Sequence, residues 1–341
     1  MNNIINISKL FSNIPTENIL FQEKENIIVG NICNIYYYTI ILSQDNSTDI
    51  KEIILKISNF DNVLSIDATE LNLYENELYF YNNISKIINN IKIPVFYGSF
   101  KEENKHGILL ENLSQNYNGN FNKNLNTDIQ LIIKVLEYIH NLHNTYYFNN
   151  ADEIIDCMKK LKKVNEIDHY SNLINKQFNN FMKLNDDLTE KNKQIILNIY
   201  NNFDNLLKES STFPLSFCHG DLKSGNIFFK DDTEPYFFDW QYIHLNKGVS
   251  DIVFFLVECI EFNEHTTEIV EKYYFKLLTE KHPEITYETY KKDFINSLCI
   301  FPFFVMIWFN SKLEYRSKDN DYKDSPTRFM NNLLLYLEYY L

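Results

Sequence analysis

The chain has 341 residues, 45% of them hydrophobic and 23% charged, the balance of a packed globular protein with room for about two domains or one two-lobed unit. Asp and Glu outnumber Lys and Arg by 46 to 32, a net charge of −14. That balance argues against a nucleic-acid partner, whose phosphates reward a basic surface, and mildly favours a cationic small molecule.

In chain order, residues 34–42 and 50–58 are runs of β-branched and aromatic side chains joined by a polar turn, and they predict a β-hairpin. Residues 66–89 place Leu71, Tyr74, Leu78 and Tyr81 on one face and predict a single helix. A second hairpin is expected from 93–100 and 107–113. Beyond it the chain reads as helix: 128–143, two or three amphipathic helices within 151–209, then 249–262, 266–280, 287–313 and 327–340. A short strand–turn–strand, 226–229 and 236–239, interrupts them. The expected class is α+β, with a small antiparallel sheet and one helix over 1–112 and a larger, mainly helical lobe over 113–341.

The longest apolar run, 298–309, is shorter than the roughly 20 residues of a spanning helix, so no membrane span is expected. The opening MNNIINISKL has no basic segment followed by an apolar core, the pattern of a secretory signal. Cys33, Cys157, Cys218, Cys259 and Cys299 are scattered and form no C-x-x-C, which argues against a disulfide framework or zinc site and for a cytoplasmic setting.

Glycine is scarce: 7 residues, where average usage of about 7% gives roughly two dozen. Two of them, Gly220 and Gly225, fall in the eight-residue stretch HGDLKSGN at 219–226. There Asp221 and Asn226 stand five apart, and Asp239 follows after a strand, a turn and a strand. Phosphoryl transfer asks for a carboxylate to orient the attacking hydroxyl and for oxygen ligands to hold Mg²⁺ against the phosphates. Asp221 suits the first role, Asn226 and Asp239 the second.

HGDLKSGN followed by FFDWQ resembles the signature of the aminoglycoside phosphotransferase and choline kinase superfamily, which has the protein-kinase-like two-lobed fold. Within it the chain is most similar to the choline-kinase-like, ecdysteroid-kinase-like group. Glu77-Leu78-Tyr79-Phe80-Tyr81, Ile108-Leu109-Leu110-Glu111-Asn112-Leu113, Asp239-Trp240-Gln241 and Asp251-Ile252-Val253-Phe254-Phe255-Leu256 match its motifs in order, between about residues 27 and 256. The resemblance implies an ATP- and Mg²⁺-dependent kinase for a hydroxyl of a small molecule: choline or ethanolamine, an aminoglycoside-like antibiotic, or a hydroxylated steroid. It implies that Lys56 contacts the α- and β-phosphates, that Glu77 pairs with Lys56, and that the backbone of Glu111, Asn112 and Leu113 holds adenine. Glu75, two residues from Glu77, is the other candidate partner for Lys56. Asp251 would brace the catalytic loop, with His219 supporting it. Gly30 is the one glycine of the loop that would cover the phosphates, and Asn112 stands where the group has Asp.

Two other readings stay open. HGDLKSGN is close to the catalytic loop of a protein Ser/Thr kinase, in which Lys223 would reach the γ-phosphate, yet Asp251 follows Asp239 by only 12 positions and no A-P-E follows. A non-catalytic pseudokinase, serving as a binding module, would find its best support in the glycine-poor loop. His140 and His143 stand three apart on a helix without a metal-ligand partner at suitable spacing, and packing against the catalytic loop is the better reading. The aromatic group Trp240, Phe301, Phe304 and Trp308 reads as core before it reads as a box for a quaternary ammonium.

Overall fold

A computed structural model describes residues 19–30, 32–44, 47–60, 64–102, 105–121, 123–126, 128–312 and 325–341. The elements begin with strands β1 (Ile19–Val29), β2 (Cys33–Gln44) and β3 (Ser47–Ser58), then helices α1 (Leu64–Glu70) and α2 (Leu73–Tyr79). A π-helical turn, Phe80–Ile84, continues α2. Next come β4 (Phe96–Glu102), β5 (Lys105–Glu111), α3 (Leu113–Asn116), β6 (Gly119–Phe121), α4 (Ile129–Thr145) and β7 (Tyr147–Phe148). They are followed by α5 (Asp168–Leu184), α6 (Glu190–Ser210), β8 (Leu215–Cys218), β9 (Ile227–Lys230), β10 (Glu234–Phe237) and β11 (His244–Asn246). The chain closes with α7 (Val249–Cys259), α8 (Glu264–Lys281), α9 (Tyr287–Leu298), α10 (Phe301–Asn310) and α11 (Ser325–Tyr340).

The chain divides into two compact units, Met1–Phe121 with Ile227–Tyr242, and Asn122–Asn226 with Ile243–Leu341. The division expected at residue 112 thus moves to 121, and the first unit takes back a distant segment. Pairing explains both: β6 joins β9, which joins β10, in one three-stranded sheet.

The first unit is built on a five-stranded antiparallel sheet in the order β1-β2-β3-β5-β4. Alternation along β3 sends Leu55 and Ile57 into a cluster with Ile40, Ile53 and Leu109, and turns Lys56 to the opposite face. Leu71, Tyr74, Leu78 and Tyr81 are buried, as their spacing predicts. The single helix expected over 66–89 is nonetheless broken: Asn72 takes a left-handed conformation (φ 61°) between α1 and α2. The π turn after α2 then lets two consecutive aromatics, Phe80 and Tyr81, both lie fully buried.

The second unit carries the sheet β11-β8-β7 and the long helices. β8 is buried along its length and leads straight into residue 219. The one helix expected over 287–313 is two, with a break at Cys299–Ile300 where Pro302 opens the next helix. By length and composition Tyr287–Asn310 is the one stretch among the described residues able to cross a bilayer, yet 78% of its apolar window is buried inside the protein. Phe301, Phe304 and Trp308 pack there, with Phe304 4.5 Å from the Tyr170 ring and Phe301 4.7 Å from Phe254. The aromatic stripe is core.

Candidate active site

In the first unit three charged side chains from distant parts of the sequence meet. Lys56 Nζ lies 2.8 Å from Glu77 Oε2 and 2.6 Å from Asp239 Oδ1. Glu77, not Glu75, is the partner on α2. Two residues of helix put the side chains on opposite faces, and Glu75 pairs instead with Lys101 at the surface. Burial works against the Lys56 ammonium, but Asp239 and Glu77 outweigh it and hold its pKa well above the ordinary lysine range. Burial also pushes the Glu77 carboxyl up, while Lys56 and a hydrogen bond from Gln241 pull it back. One cation faces two carboxylates here, so the cluster carries a net negative charge that suits an added metal cation.

Asp239 sits with φ 66°, a left-handed conformation costly for a residue with a side chain. The two residues after it hold it in place. The Trp240 ring stacks on Phe80 at 4.2 Å and 9°, and its Nε1 donates to the Phe237 carbonyl at 3.2 Å. Gln241 Nε2 donates to Glu77 Oε2 at 3.2 Å, and the Gln241 carbonyl accepts from Asn76 Nδ2 at 2.9 Å. Cys33 lies beside this group, its thiol pushed up to about 12 by burial.

Gly30 donates its amide to the Cys33 carbonyl at 2.9 Å in the tight turn between β1 and β2. A Cβ there would lie 2.5 Å from that carbonyl oxygen, so only glycine fits. Residue 31 of this loop lies outside the described residues. At the segment expected to hold adenine, the amides of Glu111 and Asn112 are engaged, donating to the Val95 carbonyl at 2.9 Å and the Glu52 carbonyl at 3.0 Å. Leu113 opens α3.

In the second unit the loop 219–226 is held by its own backbone. The amides of His219 and Gly220 donate to the two oxygens of Asp251, each at 2.8 Å, and Gly220 takes φ 83°, which glycine alone adopts freely. Asp251 Oδ2 also shares a 2.9 Å hydrogen bond with His143 Nε2, and His143 Nδ1 one of 2.7 Å with the Tyr274 hydroxyl. Burial alone would raise the Asp251 pKa. The hydrogen bond and charge of His143, the charge of His219 and the Gly220 amide reverse this and hold it below the usual carboxylate value.

Asp221 receives Lys223 Nζ at 2.9 Å and Asn226 Nδ2 at 3.0 Å, both on Oδ2. Asn226 Nδ2 donates a second time to the Asp221 carbonyl at 2.8 Å. With its nitrogen committed to Asp221, the Asn226 amide offers its oxygen to a cation, a hard donor of the kind Mg²⁺ prefers.

The structure brings Lys56, Glu77 and Asp239 together in one unit and Asp221, Lys223 and Asn226 in the other. It also corrects the reading of His143. This residue does meet a cysteine and a carboxylate, Cys218 and Asp251, with candidate ligand atoms within 4.8 Å of one another. Sequence separation hid that grouping. Asp251 and His143 are hydrogen-bonded to the loop and to Tyr274, and burial pushes the Cys218 thiol well up, against the thiolate a metal needs. Gln241 stood in the Asp239-Trp240-Gln241 motif without a role of its own, and Asn76, Tyr274 and Gly248 were missed. Gly248 alone carried a signal, as a scarce glycine just before a helix: a Cβ there would lie 2.8 Å from His143 Nδ1.

The fold is protein-kinase-like. Choline kinase LicA from Streptococcus pneumoniae superposes with a TM-score of 0.56 at 15% identity, over 97% of this chain and 98% of that one. An ethanolamine kinase from Plasmodium vivax gives 0.52 at 15% identity, over 96% and 85%. A thermostable aminoglycoside phosphotransferase mutant, solved as a ternary complex with AMP-PNP and hygromycin B, gives 0.52 at 10% identity, over 98% of each chain. The profile of the ecdysteroid kinase-like family matches residues 31–285, and the chain belongs to that family. No curated protein sequence matches it.

Proposed function

We propose that the chain is an ATP- and Mg²⁺-dependent phosphotransferase that moves the γ-phosphate to a hydroxyl of a small molecule. One observation carries the reading: Lys56 is formed into a buried ion pair with Glu77 and Asp239, while Asp221 and Asn226 are bonded to each other on a loop held from below by Asp251. A chain that had lost catalysis would have no need to keep all five. The family and the kinases named above support the same class.

In this reading Lys56 meets the α- and β-phosphates and Glu77 keeps the ammonium in place. The base lies against the Leu113 amide, Gly30 sits in the loop above the phosphates, and Lys223 meets the γ-phosphate. Asn226 and Asp239 are the oxygen donors that would hold Mg²⁺, which when bound would supply charge neutralisation at the phosphates. Both side-chain bonds to Asp221 fall on Oδ2, so Oδ1 receives the acceptor hydroxyl. Asp221 orients that hydroxyl and takes its proton as the new O–P bond forms and the bond to ADP breaks. The acceptor is an amino-alcohol like choline or ethanolamine, an aminoglycoside-like compound or a hydroxylated steroid. All five cysteines are free thiols, which supports a reducing, cytoplasmic setting.

The test is ADP release from Mg²⁺ and ATP over a panel of amino-alcohols, aminoglycosides and steroid alcohols. Acceptor-dependent release, lost in Asp221→Asn, is the expected result. Nucleotide binding without release for any acceptor would overturn catalysis and leave a binding module.

A further inference from the structure

The turn that follows Asp239 does more than present a carboxylate. Its next two side chains both reach the helix that carries Glu77: Trp240 by stacking on Phe80, Gln241 by its 3.2 Å hydrogen bond to Glu77 Oε2. Asn76, the residue before Glu77, returns a bond of 2.9 Å to the Gln241 carbonyl.

The helix needs such partners. α2 has only seven residues, starts after a left-handed Asn72 with no side-chain cap, and runs into a π turn. A helix that short has little stability of its own and takes its position from tertiary contacts. Glu77 is 2% exposed, and a buried carboxylate with a missing donor is expensive. Gln241 supplies a donor that does not depend on Lys56. When the ammonium turns toward phosphates, Glu77 keeps a partner and its position.

Resting on the nucleotide-binding reading above, we propose that Gln241 is a positioning residue: it ties Glu77 and α2 to the Asp239 turn, so that the Lys56–Glu77 pair stands formed before any nucleotide arrives. Nucleotide affinity then depends on a side chain that touches neither phosphate nor metal, and the site needs no separate activating signal to order its helix.

Gln241→Met keeps length and shape and removes the donor. Three readouts follow on the full chain: Mg²⁺·AMP-PNP affinity, KM for ATP against kcat, and amide hydrogen exchange over residues 73–84 without nucleotide. The expected result is about tenfold weaker nucleotide binding, from loss of one hydrogen bond to a charged group. KM for ATP rises in step, kcat stays within about twofold, and exchange in α2 quickens. In a Glu77→Gln background the same substitution adds nothing, since it acts through Glu77. Asn76→Ala, which loosens the same tie from the helix side, quickens the same amides if Gln241→Met fails to fold.

Unchanged affinity and unchanged exchange would overturn the proposal. So would an equal loss of affinity in the Glu77→Gln background. If the parent binds no nucleotide, the nucleotide reading fails on its own, and exchange in α2 still decides whether Gln241 holds the helix.

Discussion

The two clusters are held by different kinds of bond. Lys56, Glu77 and Asp239 come from a strand, a helix and a turn, and meet through charge. The loop 219–226 is one short segment, fixed by its backbone amides on Asp251. A cluster made of charges depends on every member, because losing one leaves the others buried and uncompensated. A loop held by its backbone can lose a side chain and keep its shape. Damage to the first cluster is therefore both structural and functional, whereas in the second the two effects separate.

The largest expected effect tests that separation. Asp221→Asn should lower turnover by at least about 10³-fold, the upper range for loss of a positioned base. Nucleotide affinity should stay within about twofold and the thermal midpoint should hold. A midpoint falling along with activity would show that the loop leans on Asp221 after all. Lys56→Met comes next. It strands Glu77 beside Asp239, and breaking a buried pair costs on the order of 3 kcal/mol, read as a lower urea midpoint.

A third, smaller effect comes from pH. Burial, with His143, His282 and Lys281 nearby, lowers the His140 pKa from 6.5 to about 4. The unfolded chain then takes up this proton first, so stability from the neutral ring is present above pH 6.5 and is lost as pH falls towards 4. Parent and His140→Gln should therefore converge in urea stability over that window. Parallel curves would remove His140 from the account. The smallest effect is at the helix face the site does not use: Glu75→Gln breaks an exposed pair with Lys101 and should change stability by less than about 0.5 kcal/mol.

What could be read in advance follows the same division. HGDLKSGN is local, so spacing and two scarce glycines marked it, and its hairpin to Asp239 was visible as strand, turn and strand. Lys56 and Glu77 rested on resemblance, and the choice between Glu75 and Glu77 needed the helix phase. That phase was hidden, because the left-handed Asn72 resets the helix and no pattern of apolar residues announces it. β1 escaped notice because the polar QEKEN interrupts its alternation, at the point where its register with β2 shifts. Gln241, Asn76 and Tyr274 act through partners more than 100 positions away, a separation periodicity cannot report. The break between α9 and α10 is legible in Pro302, which has no amide to donate back to residue 298 and is tolerated only in the first turn of a helix.

The most direct measurement is the thermal midpoint with ATP, with and without Mg²⁺, for the parent, Asp221→Asn and Asp239→Asn. A ligand at a hundred times its dissociation constant stabilises by about 2.7 kcal/mol, an easily seen shift. The account predicts a Mg²⁺-dependent rise in the parent and in Asp221→Asn, and little or none in Asp239→Asn. No rise in the parent, or an equal rise in Asp239→Asn, would contradict it.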